Sequence, residues 1–195
     1  AVMNGAQIAV DEINASDSAV KFEYNFQDDE GDAETAVNAY NILKDWGMQV
    51  LMGTVTTAPC LAVISETEAD NMFQITPSAS STDVIVPDNV FQVCFTDPNQ
   101  GVSAADYIAD NGLATKVAAI YDSSDAYSSG IYNAFAAEAE AKGLEIVCAE
   151  AFTADNKTDF RTQLQKAQSA GADLVFLPIY YQEAALILTQ ADQLG

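Results

Sequence analysis

Hydroxyl-bearing and aromatic residues gather in four short stretches, each placed just after an apolar run. "GTVTTAP" (53–59) follows "QVLM" and puts Thr56 and Thr57 just ahead of a helix with Pro59 in its first turn. Proline suits the first turn of a helix, so these threonines stand where unpaired backbone N–H groups collect. Hydroxyls beside such donors make a receptor for a carboxylate or phosphate, and they equally make an ordinary helix cap. "TPSASSTD" (76–83) follows "MFQI" and offers small donors and acceptors, among them Ser78 and Ser80. A plain polar loop has the same composition. "DSSDAYSSG" (122–130) follows "KVAAIY" and carries Tyr127 near a helix start, and "IYYQE" (179–183) carries Tyr180 and Tyr181. A tyrosine at a strand end can lay an aromatic face on a ligand and reach with its hydroxyl. One such loop reads as turn or rim; four in one chain point to a small-molecule cleft.

Catalytic chemistry is poorly represented. There is no histidine, which removes the commonest general base and metal ligand. The G-x-S-x-G elbow, the phosphate-binding G-x-x-x-x-G-K-[ST] loop and the dinucleotide G-x-G-x-x-G pattern are all missing. "DDEGD" (28–32) lacks the ligand spacing and terminal glutamate of a calcium loop. If Asp28 and Asp29 lie on a strand, as neighbours they face opposite ways and do not naturally share a proton. Cys60, Cys94 and Cys148 are too widely spaced for a zinc knuckle and sit in or near apolar runs, so each reads as a buried free thiol. Neither a cofactor nor a metal is expected.

The chain has 195 residues, of which 49% are hydrophobic, enough for a sizeable core. Against 29 acidic residues stand 7 basic ones, a net charge of −22. That balance argues against nucleic acid and against an anionic membrane surface, both of which need clustered Lys and Arg. No apolar stretch approaches the roughly 20 residues that span a bilayer, so no membrane insertion is expected in this segment. An anionic ligand must then be held by local backbone dipoles, against the overall field.

The elements that position these loops alternate. Apolar runs at 20–26, 49–53, 72–76, 90–95, 116–122, 144–150 and 172–180 read as strands, several apolar enough to be covered on both faces of a parallel sheet. Amphipathic segments separate them, the first carrying Val2, Ala6, Ala9, Val10 and Ile13 at helical spacing. Gly47, Gly112, Gly143, Gly171 and Gly195 stand where helices stop, and Asp97-Pro98 reads as a cap followed by a first-turn proline. This is an α/β pattern built from βα repeats, in which ligands bind beyond the carboxyl ends of the strands. The chain opens on a helix with no strand before it, so a piece of something longer is expected. "CFTDPNQG" (94–101) is the clearest boundary.

Taken in order, "NGAQIAVDEINAS", "YNFQDDEGDAETAVNAYNIL", "VLMGTVTT", "FQITPSASS", "VAAIYDSSDAYSSG" and "DFRTQLQKAQSAGADLVFLPIYYQEAALILTQADQLG" resemble the type I periplasmic substrate-binding proteins. The branch is the leucine/isoleucine/valine-binding group that serves ABC importers. The resemblance implies two Rossmann-like, doubly wound parallel-sheet lobes, 1–96 and 97–195, with a hinge crossing near 94–101 and the family's first strand and C-terminal half outside these residues. It implies an amino acid enclosed between the lobes and a membrane permease as partner, outside the cytoplasm. It places Thr57, with Thr56 and Ala58 beside it, on the ligand's carboxylate. It puts Ser78 and Ser80 on the ammonium and carboxylate groups, and Tyr127 and Tyr180 over the ligand from the second lobe. Departures are visible: Ser128 follows Tyr127 where the family usually has glycine. Gly31 and Thr56 stand where close relatives carry a cysteine pair. A ligand-sensing domain of a receptor or regulator shares the same fold, and an α/β enzyme using the same loops is the remaining alternative.

Overall fold

The computed structural model describes residues 1–195 and divides into two compact units, Ala1–Cys94 and Phe95–Gly195. In the first unit the order is α1 (Val2–Ala15), α2 (Ala33–Trp46), β1 (Val50–Met52), α3 (Thr57–Ala69), β2 (Phe73–Thr76), a 3-10 turn at Thr82–Ile85, and β3 (Val90–Gln92). The strands pair in parallel in the order β1-β2-β3, with Leu51 opposite Gln74 and Ile75 opposite Phe91. Helix α2 starts on Asp32, whose carboxylate accepts the Thr35 N–H at 2.8 Å, and stops on Gly47 in the left-handed region. Its inward face brings Ala36 and Tyr40 against Leu51 and Val63. The Tyr40 hydroxyl donates to Asp70 at 2.8 Å, and Lys44 closes on the same carboxylate. Burial first, then the Asp70 hydrogen bond and charge, push the Tyr40 phenol well above its usual range.

The opposite face of this sheet is open. Val50, Met52, Phe73 and Phe91 are exposed, and the last two rings stack at 5.2 Å. The strand expected at 20–26 does not form. Phe22, Tyr24 and Phe26 alternate as the pattern requires but stay exposed. The segment is instead tied to the end of α1, where the Asn14 amide donates to Phe22 O at 2.7 Å and accepts the Phe22 N–H at 2.8 Å. A strand exists only through a neighbour that takes its N–H and C=O groups, and none flanks this one. Asp28 and Asp29 lie in a turn, accepting the N–H groups of Glu30 and Gly31 at 3.0 and 2.9 Å.

The second unit runs α4 (Asp97–Asp110), β4 (Lys116–Asp122), α5 (Ala126–Lys142), β5 (Glu145–Phe152), α6 (Arg161–Ser169), β6 (Leu174–Phe176) and α7 (Tyr181–Leu194). All pairing is parallel, in the order β5-β4-β6. Central β4 is buried on both sides, from Val117 to Ile120. Val117 meets Ala105, Ile108, Phe135 and Ala139 of α4 and α5, while Ile120 meets Phe152, Phe160, Leu164 and Ile187 of the α6–α7 side. Helices therefore cover both faces, as a near-continuous apolar strand predicts. The cap of α4 is Thr96, whose hydroxyl accepts the Asn99 N–H, so Asp97 falls one residue inside the helix instead of capping it. Of the three thiols, Cys60 is fully buried, whereas Cys94 and Cys148 are only half-buried.

Candidate functional site

In the first unit the candidate residues converge at the carboxyl edge of the sheet. Thr56 caps α3 without a side-chain cap hydrogen bond, and its hydroxyl is shielded from solvent with no hydrogen-bond partner. A buried donor left unpaired costs about 1–3 kcal/mol, so this hydroxyl is unexplained by the fold alone. Thr57 opens α3, is 1% exposed, and accepts the Ser80 N–H on its hydroxyl at 3.3 Å. Ala58 is exposed beside it. Ser80 is 3% exposed, and exposed Ser78 donates its hydroxyl to Val55 O at 2.6 Å. Thr56, Thr57, Ala58, Ser78 and Ser80 thus belong to two adjoining loops knitted to each other, at the N-terminal amides of α3.

Three residues of this edge, Gln74, Thr76 and Gln92, were not singled out from the sequence. Gln74 is fully buried, donating to Gly53 O at 2.8 Å and to Cys60 Sγ at 3.4 Å while accepting the Thr67 hydroxyl at 2.7 Å. Thr76, also fully buried, donates to Thr54 O at 2.7 Å and accepts the Ala79 N–H at 3.0 Å. From β3 the Gln92 amide donates to Ala79 O at 2.6 Å, and Cys94 Sγ approaches the same carbonyl at 3.5 Å. A signal was available: polar side chains at alternate positions 74, 76 and 78 of an otherwise apolar run.

In the second unit Tyr127 and Tyr180 come together, their rings stacked at 4.8 Å and 16°. Tyr127 is half-buried, Tyr180 is 39% exposed, and Tyr181 is turned out to solvent. Burial first, then the charges of Asp97 and Asp125, raise the Tyr127 phenol above its usual range, so it stays neutral. The serines around it mostly serve the turn. The Ser128 hydroxyl accepts the Asp122 N–H at 2.8 Å, Ser124 donates to the Asp122 carboxylate at 2.6 Å, and Ser129 donates to Asp125 O at 2.7 Å. Asp125 caps α5 by accepting the Ser128 N–H. The stretch is therefore turn chemistry that holds one aromatic residue in place.

Taken by itself, the first unit offers backbone donors and hydroxyls suited to an anion, and the second, by itself, offers a stacked aromatic pair.

Known proteins resemble this chain as a whole. A relative from Brucella melitensis named Leu/Ile/Val-binding protein homolog 3 is 32% identical over 198 residues, covering all of this chain and 53% of its own length. The crystal structure of a leucine binding protein from Thermotoga maritima MSB8 superposes with a TM-score of 0.91 at 30% identity, covering 100% of this chain and 55% of that one. A branched-chain amino acid transporter substrate binding protein from Streptococcus pneumoniae, solved with isoleucine, gives 0.90 at 29% identity, with 99% and 56% covered. The chain thus spans about half the length of the curated relatives it matches. A model of the periplasmic binding protein family matches residues 1–195, and the chain belongs to that family.

Proposed function

We propose that the full-length protein is an extracytoplasmic solute-binding protein of an ABC importer that captures an amino acid, branched-chain or similar, and delivers it to a membrane permease. The observation that carries this reading is the unpaired, shielded hydroxyl of Thr56 at the N-terminus of α3, in a chain of the periplasmic binding protein family. Thr57 and Ser80, with Thr56, Ala58 and Ser78 around them, hold the ligand's carboxylate and ammonium groups. Tyr127 and Tyr180 cover it from the second lobe. Residues 1–96 and 97–195 act as lobes that close about a hinge near 94–101. Contacts made on both lobes favour the closed state, which is how a ligand drives such a transition. Charge-assisted hydrogen bonds strengthen when closure excludes water. The role is capture, not catalysis.

A second reading, a ligand-sensing domain, is favoured by one relative: an extracellular ligand-binding receptor from Rhodopseudomonas palustris HaA2, 26% identical over 90% of this chain. Thermal unfolding of the full-length protein against each of the twenty amino acids tests the capture reading. A ligand that binds only the folded state raises the midpoint, by the equivalent of about 2.7 kcal/mol at a hundred times Kd. No shift with any of them overturns amino-acid capture. Reconstituted uptake with the cognate permease then separates importer from sensor.

A further inference from the structure

We infer that Gln74, Thr76 and Ser78 are positioning residues that lace the β1–α3 loop into an anion receptor, turning its carbonyls inward and its N–H donors toward the ligand. The inference rests on the proposed role of that loop in holding the ligand's carboxylate. Alternate residues of a strand share a face. Along β2 and its continuation these three side chains donate to three consecutive carbonyls, Gly53 O at 2.8 Å, Thr54 O at 2.7 Å and Val55 O at 2.6 Å.

Consecutive carbonyls of an extended chain point to opposite sides, so three on one side mean that the loop is wound there. In a trans peptide the N–H points opposite to the C=O. The N–H groups of Val55 and Thr56 share peptides with the carbonyls held by Thr76 and Ser78, and those donors therefore face away from β2. They adjoin the unpaired Thr56 hydroxyl and the first N–H groups of α3. Successive N–H groups turned the same way form a concave anion site.

The sheet itself has no need of these side chains. Gln74 and Thr76 are fully buried in a parallel strand, where an apolar side chain avoids the desolvation cost of a polar one. What they hold is the loop. Thr67 fixes the Gln74 amide by donating to its oxygen at 2.7 Å, so the Gln74 donor faces Gly53. The same device recurs one strand on, where Gln92 of β3 holds Ala79 O and Ser81 O in the loop after β2.

In the full-length protein, Thr76→Val keeps the shape but removes both the donor to Thr54 O and the acceptor of the Ala79 N–H, and Thr76→Ser restores both. Ser78→Ala repeats the amide-exchange test alone, without ligand, because Ser78 also stands among the proposed ligand contacts, at an exposed position where folding is not at stake. Two readouts separate positioning from stability: the ratio of the Kd values for L-leucinamide and L-leucine, and amide exchange of Val55, Thr56, Thr57 and Ala58 without ligand, with β4 as the internal control. Thr76→Val is expected to weaken L-leucine on the order of tenfold, leave L-leucinamide within about twofold, and speed exchange of the loop amides and of Ala79 while β4 is unchanged. Thr76→Ser is expected to restore both. An unchanged ratio with unchanged loop exchange overturns the inference. If the parent protein binds neither probe, the carboxylate role fails by itself, and the exchange rates still decide whether the lacing holds the loop.

Discussion

The backbone N–H of Ser80 donates to the hydroxyl of Thr57 across 3.3 Å, joining the loop after β2 to the first residue of α3. The Thr57 hydroxyl therefore has two tasks in the proposed site, one toward Ser80 and one toward the ligand. Thr57→Ala removes both and leaves the Ser80 N–H unpaired. Ligand affinity in the full-length protein is expected to fall tenfold or more, since a hydrogen bond to a charged group contributes about 1.5–3 kcal/mol. Titration calorimetry measures this directly, and an unchanged Kd removes Thr57 from the site.

Gly101 and Gly5 predict opposite outcomes for one substitution. A Cβ on Gly101 would lie 2.6 Å from Phe135 N and 2.9 Å from Ala134 Cβ, hard against the backbone of α5. Gly101→Ala is expected to destabilise by about 1–3 kcal/mol, the usual range for overpacking. Gly5, inside α1, has nothing within 4 Å, so Gly5→Ala should stabilise by roughly 0.5–1 kcal/mol through helix propensity. Denaturant unfolding of the two variants checks both signs.

Asp173 should make stability fall in acid. Its carboxylate accepts the N–H groups of Thr115 and Lys116 at 3.1 and 2.9 Å and the Thr115 hydroxyl at 3.2 Å. These bonds, the Thr115 N–H first, hold it below the usual carboxylate range. The lowered value means that its contribution is present above the unfolded pKa of about 3.9 and is lost as pH falls through the folded one. Thermal midpoints of the parent and of Asp173→Asn are expected to differ at neutral pH and converge in acid. Parallel curves would contradict this.

Asp125 has the opposite sign. Burial first, then the neighbouring charge of Asp122, raises its carboxyl above the usual range. Its contribution is present below about pH 3.9 and is lost as pH rises through the raised value, so the ionised form burdens the fold at neutral pH. Asparagine is an equally good cap and carries no charge. Asp125→Asn should therefore match or exceed the parent's midpoint at pH 7, a result that differential scanning calorimetry reads. A clear drop would mean that the charge itself is needed at the start of α5.

Local chemistry was legible in the sequence. Gly47, Gly112, Gly143 and Gly171 all adopt positive φ at or just past helix ends, because a left-handed residue is a property of one position. The run "KVAAIYD" became β4 at its expected bounds because an apolar strand covered on both faces signals itself. Segment 20–26 has the alternation of a strand, but strand formation depends on a neighbour that no single stretch can reveal. The same limit hid Gln74 and Gln92. The carbonyls that explain them lie 21 and 13 residues away in the chain. The hydroxyl loops were found from composition, whereas the division of labour within them came only with geometry. Ser78 and Ser128 look alike as loop serines, yet one reaches the Val55 carbonyl and the other accepts the Asp122 N–H.

The lacing of the loop by β2 also bears on how the molecule becomes competent. Gln74, Thr76 and Ser78 reach Gly53, Thr54 and Val55 only while Val50 pairs with Phe73 and Leu51 with Gln74. A slip of one residue turns every side chain of a strand to its other face. A molecule paired in the wrong register would therefore lose the three hydrogen bonds that shape the proposed receptor. Correct alignment of the sheet and formation of the proposed receptor therefore arrive in a single step.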